Sequence, residues 1–250
     1  MKDAINIEYG RTDAMVSQVG GTVMSFSGSH GDVFFPWRMV GKKARGGCPI
    51  CAPWFGSSPR GPKKHGYLRD LEATECMAGG TNVVDLVFNH PGDEGYPWAM
   101  RYDIRTSVRE NELFVFLEIA RVNNGIANSG ILTPAPILPA FHPYFACQDA
   151  EAVRVLVGED EYRGFSEDAR AVPLSSHIVL IEMPERQIRM KLEGAFPLND
   201  AQLVLWTDAP NEYVCVEPVF GNKELFDTPN GRHVRMGMPI KLSMSISVNG

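Results

Sequence analysis

The sequence reads IKLSMSISV at residues 240–248, a strict alternation of apolar and polar side chains near the C-terminus. A period of two places one set of side chains on the core face of a β-strand and the other set in water. The same alternation recurs in shorter form at residues 102–108, 153–157 and 188–192. These four segments predict half-buried strands of the kind found in antiparallel sheets.

Two other segments, residues 113–119 and 203–206, are continuous apolar runs, which predict strands covered on both faces. Helical periodicity over ten or more residues is not found, and turn-forming Gly, Pro and Asn clusters separate the runs. The fold class predicted from these patterns is all-β, a mostly antiparallel sandwich or barrel. The sequence shows neither an internal repeat nor a linker, so we expect residues 1–250 to form a single domain.

Length and charge exclude several classes of protein. A chain of 250 residues buries enough surface to be stable without disulfides or metal staples. Its 24 basic and 30 acidic residues give a net charge of -6, whereas nucleic-acid binding rests on clustered Lys and Arg. The most apolar run, residues 131–141, contains three prolines and is too short to cross a bilayer. We therefore expect no nucleic-acid partner and no membrane partner.

The N-terminal residues lack the basic start and apolar run of a signal peptide, which favours a cytoplasmic location. Five cysteines without a secretion signal predict reduced, mostly buried thiols. Cys48 and Cys51 form a C-x-x-C, but no second pair accompanies them. The spacing therefore supports neither a zinc site nor thioredoxin-like chemistry.

The segment from Gly41 to Arg69 is rich in Gly and Pro and shows no strand pattern. Long loops inside compact domains are usually functional or disordered. Its aromatic residues favour an ordered, functional loop. Arg45 and Arg69 lie on Gly-rich stretches of this segment, and guanidinium groups so placed suit contacts with a phosphate, a carboxylate or sugar hydroxyls. Ordinary surface arginines are the alternative reading.

Two residues elsewhere are candidates for acid–base chemistry. His142 lies in the aromatic run FHPYF at residues 141–145, where an imidazole can serve as a general acid or base. Glu217 ends an apolar run, and burial there would raise the pKa of its carboxyl toward that of a working base. A satisfied core histidine and a strand-end glutamate that reaches solvent are the alternatives. Periodicity alone does not show whether the two face each other.

Five motifs occur in a characteristic order: RGGCPI at 45–50, PWFG at 53–56, HGYLR at 65–69, FHPYF at 141–145 and VCVEP at 214–218. This series resembles the aldose 1-epimerase (galactose mutarotase) superfamily. The first three motifs most resemble its hexose-6-phosphate mutarotase branch. Together they extend over most of the chain.

The resemblance implies a large antiparallel β-supersandwich that interconverts the α and β anomers of an aldose without a metal or organic cofactor. The implied partner is a small-molecule sugar or sugar phosphate. By the same resemblance, Glu217 is the base, His142 the acid that protonates the ring oxygen, and His65 a hydrogen-bonding partner of the sugar. Arg45 and Arg69 match positions that contact the substrate or its phosphate.

One family feature is missing. Relatives usually carry an Asp that contacts sugar hydroxyls, but the comparable stretch, residues 175–179, has no carboxylate, and the sequence does not assign that role to Asp160 or Asp168. Two alternative functions also remain open. One is a non-catalytic carbohydrate-binding protein of the same fold. The other is a glycoside hydrolase, which typically needs two carboxylates, of which only Glu217 lies in a suitable motif.

Overall fold

The structure, a computed structural model, describes residues 4–40, 43–57, 60, 63–123, 133–194 and 196–249. Within these residues the regular elements are strands and four short 3-10 helices, at Leu68–Asp70, Ala150–Ala152, Leu198–Asp200 and Lys223–Leu225. None of the described helices is long or apolar enough to span a membrane. The strands are β1 (Ala4–Tyr9), β2 (Thr12–Ser17), β3 (Val23–Gly28), β4 (Gly31–Asp32), β5 (Arg38–Val40), β6 (Lys43–Arg45), β7 (Ile50–Cys51), β8 (Glu75–Ala78), β9 (Val83–His90), β10 (Met100–Arg109), β11 (Glu112–Arg121), β12 (Ala135–Pro136), β13 (Ala140–Phe141), β14 (Tyr144–Ala146), β15 (Arg154–Val157), β16 (Asp160–Tyr162), β17 (Arg170–Pro173), β18 (Ile178–Met183), β19 (Arg186–Gly194), β20 (Gln202–Trp206), β21 (Tyr213–Val219), β22 (His233–Val234) and β23 (Ile240–Asn249).

Two large sheets dominate the architecture. The first has nine strands in the order β16-β15-β18-β19-β23-β11-β10-β9-β8. The second has the order β17-β20-β21-β13-β7, with β14 also paired to β21. The architecture also contains three smaller sheets, which are the four-stranded sheet β1-β2-β3-β4 and the two-stranded ribbons β5-β6 and β12-β22. Neighbouring strands pair antiparallel throughout these sheets, and the all-β prediction is confirmed.

The four alternating segments form strands as predicted. Strand β23 pairs with β11 on one side and with β19 on the other, and it buries Leu242, Met244, Ile246 and Val248. The alternating residues of β10, β15 and β19 bury their apolar faces in the same way. One contiguous core therefore lies against the inner face of the nine-stranded sheet.

Two sequence predictions are corrected. Strand β11 was expected to be covered on both faces, but its side chains alternate between buried and half-buried, and Phe114 and Phe116 lie on the more open face. The segment from Gly41 to Arg69 was expected to have no strands, yet it contains β6, β7 and the short helix Leu68–Asp70. Strands of two or three residues are too short to show an alternation of apolar and polar side chains, so the sequence pattern could not reveal them.

Strand β21 has the position that matters most for function. It is hydrogen-bonded to β20 on one side and to β13 and β14 on the other. All seven of its residues are buried, Glu217 among them.

Candidate active site

The register of β21 against its neighbours builds the site. Ala140 of β13 pairs with Val219, and Tyr144 of β14 pairs with Cys215. Both pairs belong to one antiparallel register. From Ala140 to Tyr144 the residue number rises by four, and from Val219 to Cys215 the number of the paired residue falls by four. Strands β13 and β14 are thus one strand interrupted in the middle.

His142 occupies that interruption and Glu217 is the register position opposite it. Pro143, which has no N–H to donate, follows His142 and accounts for the break in the ladder. The backbone N–H of His142 donates instead to the carbonyl of Pro49, at 2.9 Å. Opposed cross-strand side chains lie close together, and here His142 Nε2 is 3.4 Å from Glu217 Oε2. The structure brings together the two residues that sequence patterns could not pair.

Burial shifts the protonation of this pair. Glu217 is 2% exposed and His142 is 8% exposed. Desolvation raises the pKa of Glu217 well above its ordinary value. Desolvation lowers the pKa of His142 well below its ordinary value, and the charges of Arg69 and Lys64 add to that effect. Both shifts favour the uncharged form of each group.

Aromatic rings surround the imidazole of His142. The His142 ring stacks on Tyr144, with centroids 4.8 Å apart and planes 6° apart. Trp206 meets His142 edge-on at 6.3 Å, and Phe55 lies at 6.3 Å from the same ring. Three aromatic side chains therefore surround the imidazole of His142.

His65 is the second histidine of the site, and its ring centroid is 5.5 Å from that of His142. The backbone N–H of Gly56 donates to His65 Nδ1 at 3.1 Å, so the ring proton belongs on Nε2. Burial, with the charges of Lys64 and Arg69, lowers the pKa of His65 to about 3. At neutral pH this side chain is therefore a neutral donor.

The backbone at residues 65 and 66 packs closely against the backbone of Ala52, and this contact positions His65. His65 has φ of 66° and Gly66 has φ of 74°, both in the left-handed region. A Cβ on Gly66 would lie 2.2 Å from the carbonyl oxygen of Ala52. Only glycine fits there, which is the physical reason for the Gly in the HGYLR motif.

Arg45 makes a two-point ion pair with Asp208. Its Nη2 lies 2.6 Å from Oδ2, and its Nε lies 3.2 and 3.1 Å from the two carboxylate oxygens. The guanidinium also sits over the Trp206 ring at 5.1 Å, and the Tyr213 hydroxyl donates to Asp208. Burial opposes the charge of Arg45, but hydrogen bonding to Asp208 raises its pKa overall.

Asp208 is the site residue that sequence reasoning missed. It stands just after the apolar run of β20, where the pattern indicates only a turn. A carboxylate immediately beyond a buried strand was the available signal. Asp160, by contrast, is exposed on β16 and accepts a hydrogen bond from Ser175, and Asp168 is exposed as well.

Arg69 has a different environment from Arg45. It lies in the short helix Leu68–Asp70 with its side chain 41% exposed, and its Nε is 3.9 Å from Asp70. It lines a cavity of about 320 Å³ together with Thr22, Met24 and Trp37. Its charge nevertheless reaches the pair, since it contributes to the lowered pKa of His142.

The cysteines of the site are free thiols. Cys48, Cys51 and Cys215 are buried, and burial raises the pKa of each. Cys48 and Cys51 form no disulfide. Among the described residues, one group could hold a metal ion, and it consists of His142, Cys215 and Glu217.

Comparisons with solved structures show the same fold. The Slr1438 protein from Synechocystis sp. PCC 6803 is 19% identical, with 98% of this chain and 95% of that chain covered and a TM-score of 0.78. A galactose mutarotase related enzyme from Lactobacillus acidophilus is 12% identical, with coverages of 99% and 97% and a TM-score of 0.75. A galactose mutarotase-like protein from Lactobacillus casei ATCC 334 is 14% identical, with coverages of 98% and 100% and a TM-score of 0.73.

No curated protein matches the sequence significantly. The sequence profile described as aldose 1-epimerase matches residues 3–173, more than half of the chain. Four of the five motifs, those between residues 45 and 145, lie within the matched residues. The chain therefore belongs to the aldose 1-epimerase family.

Proposed function

We propose that this protein is a mutarotase, which interconverts the α and β anomers of an aldose by opening and reclosing the sugar ring. The observation that carries the proposal is the buried pair His142 and Glu217, whose Nε2 and Oε2 atoms are 3.4 Å apart. A base and an acid held this close can act on two neighbouring oxygens of one sugar, the anomeric hydroxyl and the ring oxygen.

The proposed reaction moves two protons. The Glu217 carboxylate removes the proton from the anomeric hydroxyl while the His142 imidazolium protonates the ring oxygen. The bond between the anomeric carbon and the ring oxygen breaks, which leaves an aldehyde and a free hydroxyl. After rotation about the adjacent carbon–carbon bond, the hydroxyl attacks the other face of the aldehyde. On closure the hydroxyl returns its proton to His142, while Glu217 returns its proton to the former aldehyde oxygen, which becomes the anomeric hydroxyl, and the enzyme is regenerated.

The pKa shifts of the pair favour the ring-opened half of this cycle. Ring opening transfers one proton to Glu217 and one away from His142, which leaves both groups neutral. Burial favours that neutral combination by raising the pKa of Glu217 and lowering that of His142. The active protein therefore carries one proton on the pair, and catalysis exchanges its position between the two residues.

Other residues have supporting roles in the proposal. The Nε2–H of His65 donates to the sugar oxygen that gains charge during opening. Asp208 accepts a hydrogen bond from a sugar hydroxyl in place of the carboxylate missing at residues 175–179, while Arg45 and Tyr213 fix its position. For a hexose 6-phosphate, Arg69 is the phosphate contact, because the charge of Arg45 is already matched by Asp208.

The test is anomer exchange followed by polarimetry and by NMR exchange spectroscopy on glucose, galactose and glucose 6-phosphate. We expect equilibration faster than in buffer for at least one sugar, and a loss of roughly 10²–10⁴-fold in Glu217→Gln and in His142→Ala. Glu212→Gln is the matched control, because Glu212 pairs with Arg38 at the surface just before β21.

Each outcome separates the alternatives. A wild-type protein that binds sugar but equilibrates no anomer would be the non-catalytic binding protein. Release of a sugar from an aryl glycoside would instead favour a hydrolase. Full activity in Glu217→Gln or His142→Ala would remove that residue from the mechanism.

A further inference from the structure

A thiol lies beside the proposed catalytic pair and has no part in the mutarotase mechanism. Cys215 and Glu217 are two positions apart on β21, so their side chains project from the same face of the strand. Cys215 is fully buried. The donor atoms of His142, Cys215 and Glu217 all lie within 4.8 Å of one another.

The spacing of these donors is close to that of a tetrahedral metal site. Bonds of about 2.0–2.3 Å to nitrogen, oxygen and sulfur place neighbouring ligands of a tetrahedral Zn²⁺ roughly 3.3–3.8 Å apart. The separation of His142 Nε2 from Glu217 Oε2, 3.4 Å, already falls in that range. The sulfur of Cys215 lies within 4.8 Å of both atoms, so a side-chain adjustment is enough to complete the geometry.

The ligand atoms are also available. Glu217 Oε2 is a buried acceptor that makes no hydrogen bond with the described part of the chain. Such orphaned polar atoms are costly unless a substrate, a proton or an ion satisfies them. A cation bound between the three side chains would satisfy Glu217 Oε2 by coordinating it directly.

The donor set indicates which cation fits. One thiolate, one imidazole and one carboxylate suit Zn²⁺ or Cd²⁺, whereas Mg²⁺ and Ca²⁺ prefer all-oxygen ligands. Three protein ligands leave the fourth position of the ion to a water molecule. Binding displaces the proton of the Cys215 thiol, because the thiolate is the ligand form.

We propose that His142, Glu217 and Cys215 form an inhibitory site for a thiophilic divalent cation of the Zn²⁺ type. The cation takes the lone pairs that the mutarotase reaction needs on the imidazole and the carboxylate. Metal and sugar therefore exclude each other. The inhibition rests on the proposed function, whereas binding of the cation does not.

Binding is tested without reference to activity by titrating Cd²⁺ and following thiolate-to-metal charge-transfer absorbance. The titration uses a Cys76→Ser background, because Cys76 is the exposed thiol of the described residues. We expect one Cd²⁺ per chain, displaced by Zn²⁺. The absorbance should vanish in Cys215→Ser and persist in Cys147→Ser, a matched change at another buried thiol.

Inhibition is tested by anomer exchange with increasing Zn²⁺. Cys215→Ser should keep its basal activity. Removing a group that only orients a metal ligand costs roughly 10–100-fold in affinity, so losing a direct ligand should raise the half-inhibiting Zn²⁺ concentration at least about tenfold. Circular dichroism checks folding, and Cys215→Ala replaces the serine variant if that variant does not fold.

The outcomes are distinct. Cd²⁺ absorbance that is absent, or that is unchanged in a folded Cys215 variant, overturns the site. Binding that depends on Cys215 but leaves an active enzyme uninhibited overturns the competition. A wild type without mutarotase activity ends the proposed function, while the Cd²⁺ titration still decides the metal site.

Discussion

Arg45 and Asp208 are 163 positions apart in the sequence and form a two-point ion pair against the face of Trp206. Their side chains are only 14% and 23% exposed, so solvent screens the pair little. The pair leaves Arg45 without a free charge for a substrate anion. Under the proposed function, we expect selectivity for a phosphorylated sugar to depend on whether Asp208 holds Arg45.

Asp208→Asn should therefore increase the preference for glucose 6-phosphate over glucose. The substitution keeps the shape of the side chain but frees the guanidinium of Arg45. We expect the ratio of kcat/KM for the two sugars to rise by about tenfold, which corresponds to 1.4 kcal/mol. Steady-state coupled assays on both sugars measure it.

Asp85→Asn is the matched control for that variant, since it releases Arg105 from a similar two-point pair on an exposed sheet face. It should leave the ratio unchanged. An Asp208→Asn enzyme with an unaltered or lower ratio would show that Arg45 does not take part in anion recognition.

Arg69→Ala should reduce kcat/KM for glucose 6-phosphate more than for glucose, by about tenfold or more in the ratio. The reason is that Arg69 is 41% exposed and that, among the described residues, its ion pair is a long one, 3.9 Å from Nε to Asp70. Arg101→Ala removes a guanidinium that is bonded to Asp103 on the nine-stranded sheet and is the control. Equal losses for both sugars would contradict phosphate contact by Arg69.

The acidic limb of the pH–rate profile should lie below pH 6.5. Activity ends in acid when His142 and Glu217 are both protonated, and burial lowers the pKa of His142 below its ordinary value of about 6.5. Lys64→Ala removes a positive charge that disfavours the imidazolium, so the limb should move to higher pH. Lys63→Ala, at a residue paired with Asp70, should not move it. A limb that is independent of Lys64 would exclude His142 as the group observed.

Stability should fall as the pH drops from about 6.5 toward 3. His65 has a folded pKa of about 3, lowered by burial, whereas the unfolded chain protonates near 6.5. Between these values the unfolded state binds more protons, so the free energy of unfolding decreases with falling pH. The slope from this one group approaches about 1.4 kcal/mol per pH unit.

His65→Asn should reduce that slope in urea denaturation measured at several pH values. Asn tolerates the left-handed backbone of residue 65 and does not titrate in this range. His30→Asn, a change at an exposed histidine, is the control. An unchanged slope in His65→Asn would mean that the histidine is solvated in the folded protein.

The fold was largely predictable because long half-buried strands alternate in sequence. The alternation at residues 240–248 corresponds directly to buried and open positions of β23. Phe114 and Phe116 misled the prediction because apolar side chains on an open sheet face look the same as buried ones in a sequence. The two-residue strand β7 could not be found, because it is held by tertiary pairing with β13 rather than by any pattern of its own.

The candidate site was only partly predictable. Local composition singles out His142 and Glu217, the family resemblance adds His65, and these three lie together. Their arrangement depends on a register between distant strands, interrupted at Pro143, which no local pattern encodes. The pairing of Arg45 with Asp208 also joins residues that are distant in the sequence. The sequence therefore predicted Arg45 as a cation free to contact the substrate.

Strand β21 is hydrogen-bonded to neighbouring strands on both sides. Glu217 therefore lies on a paired strand of the sheet rather than on a loop. Local fluctuations that loosen loops leave such a ladder intact, and its amides should be among the slowest to exchange with solvent. The backbone of Glu217 should therefore stay in place as long as the sheet stays paired. Under the proposed function, we expect activity in denaturant to be lost together with the fold rather than before it.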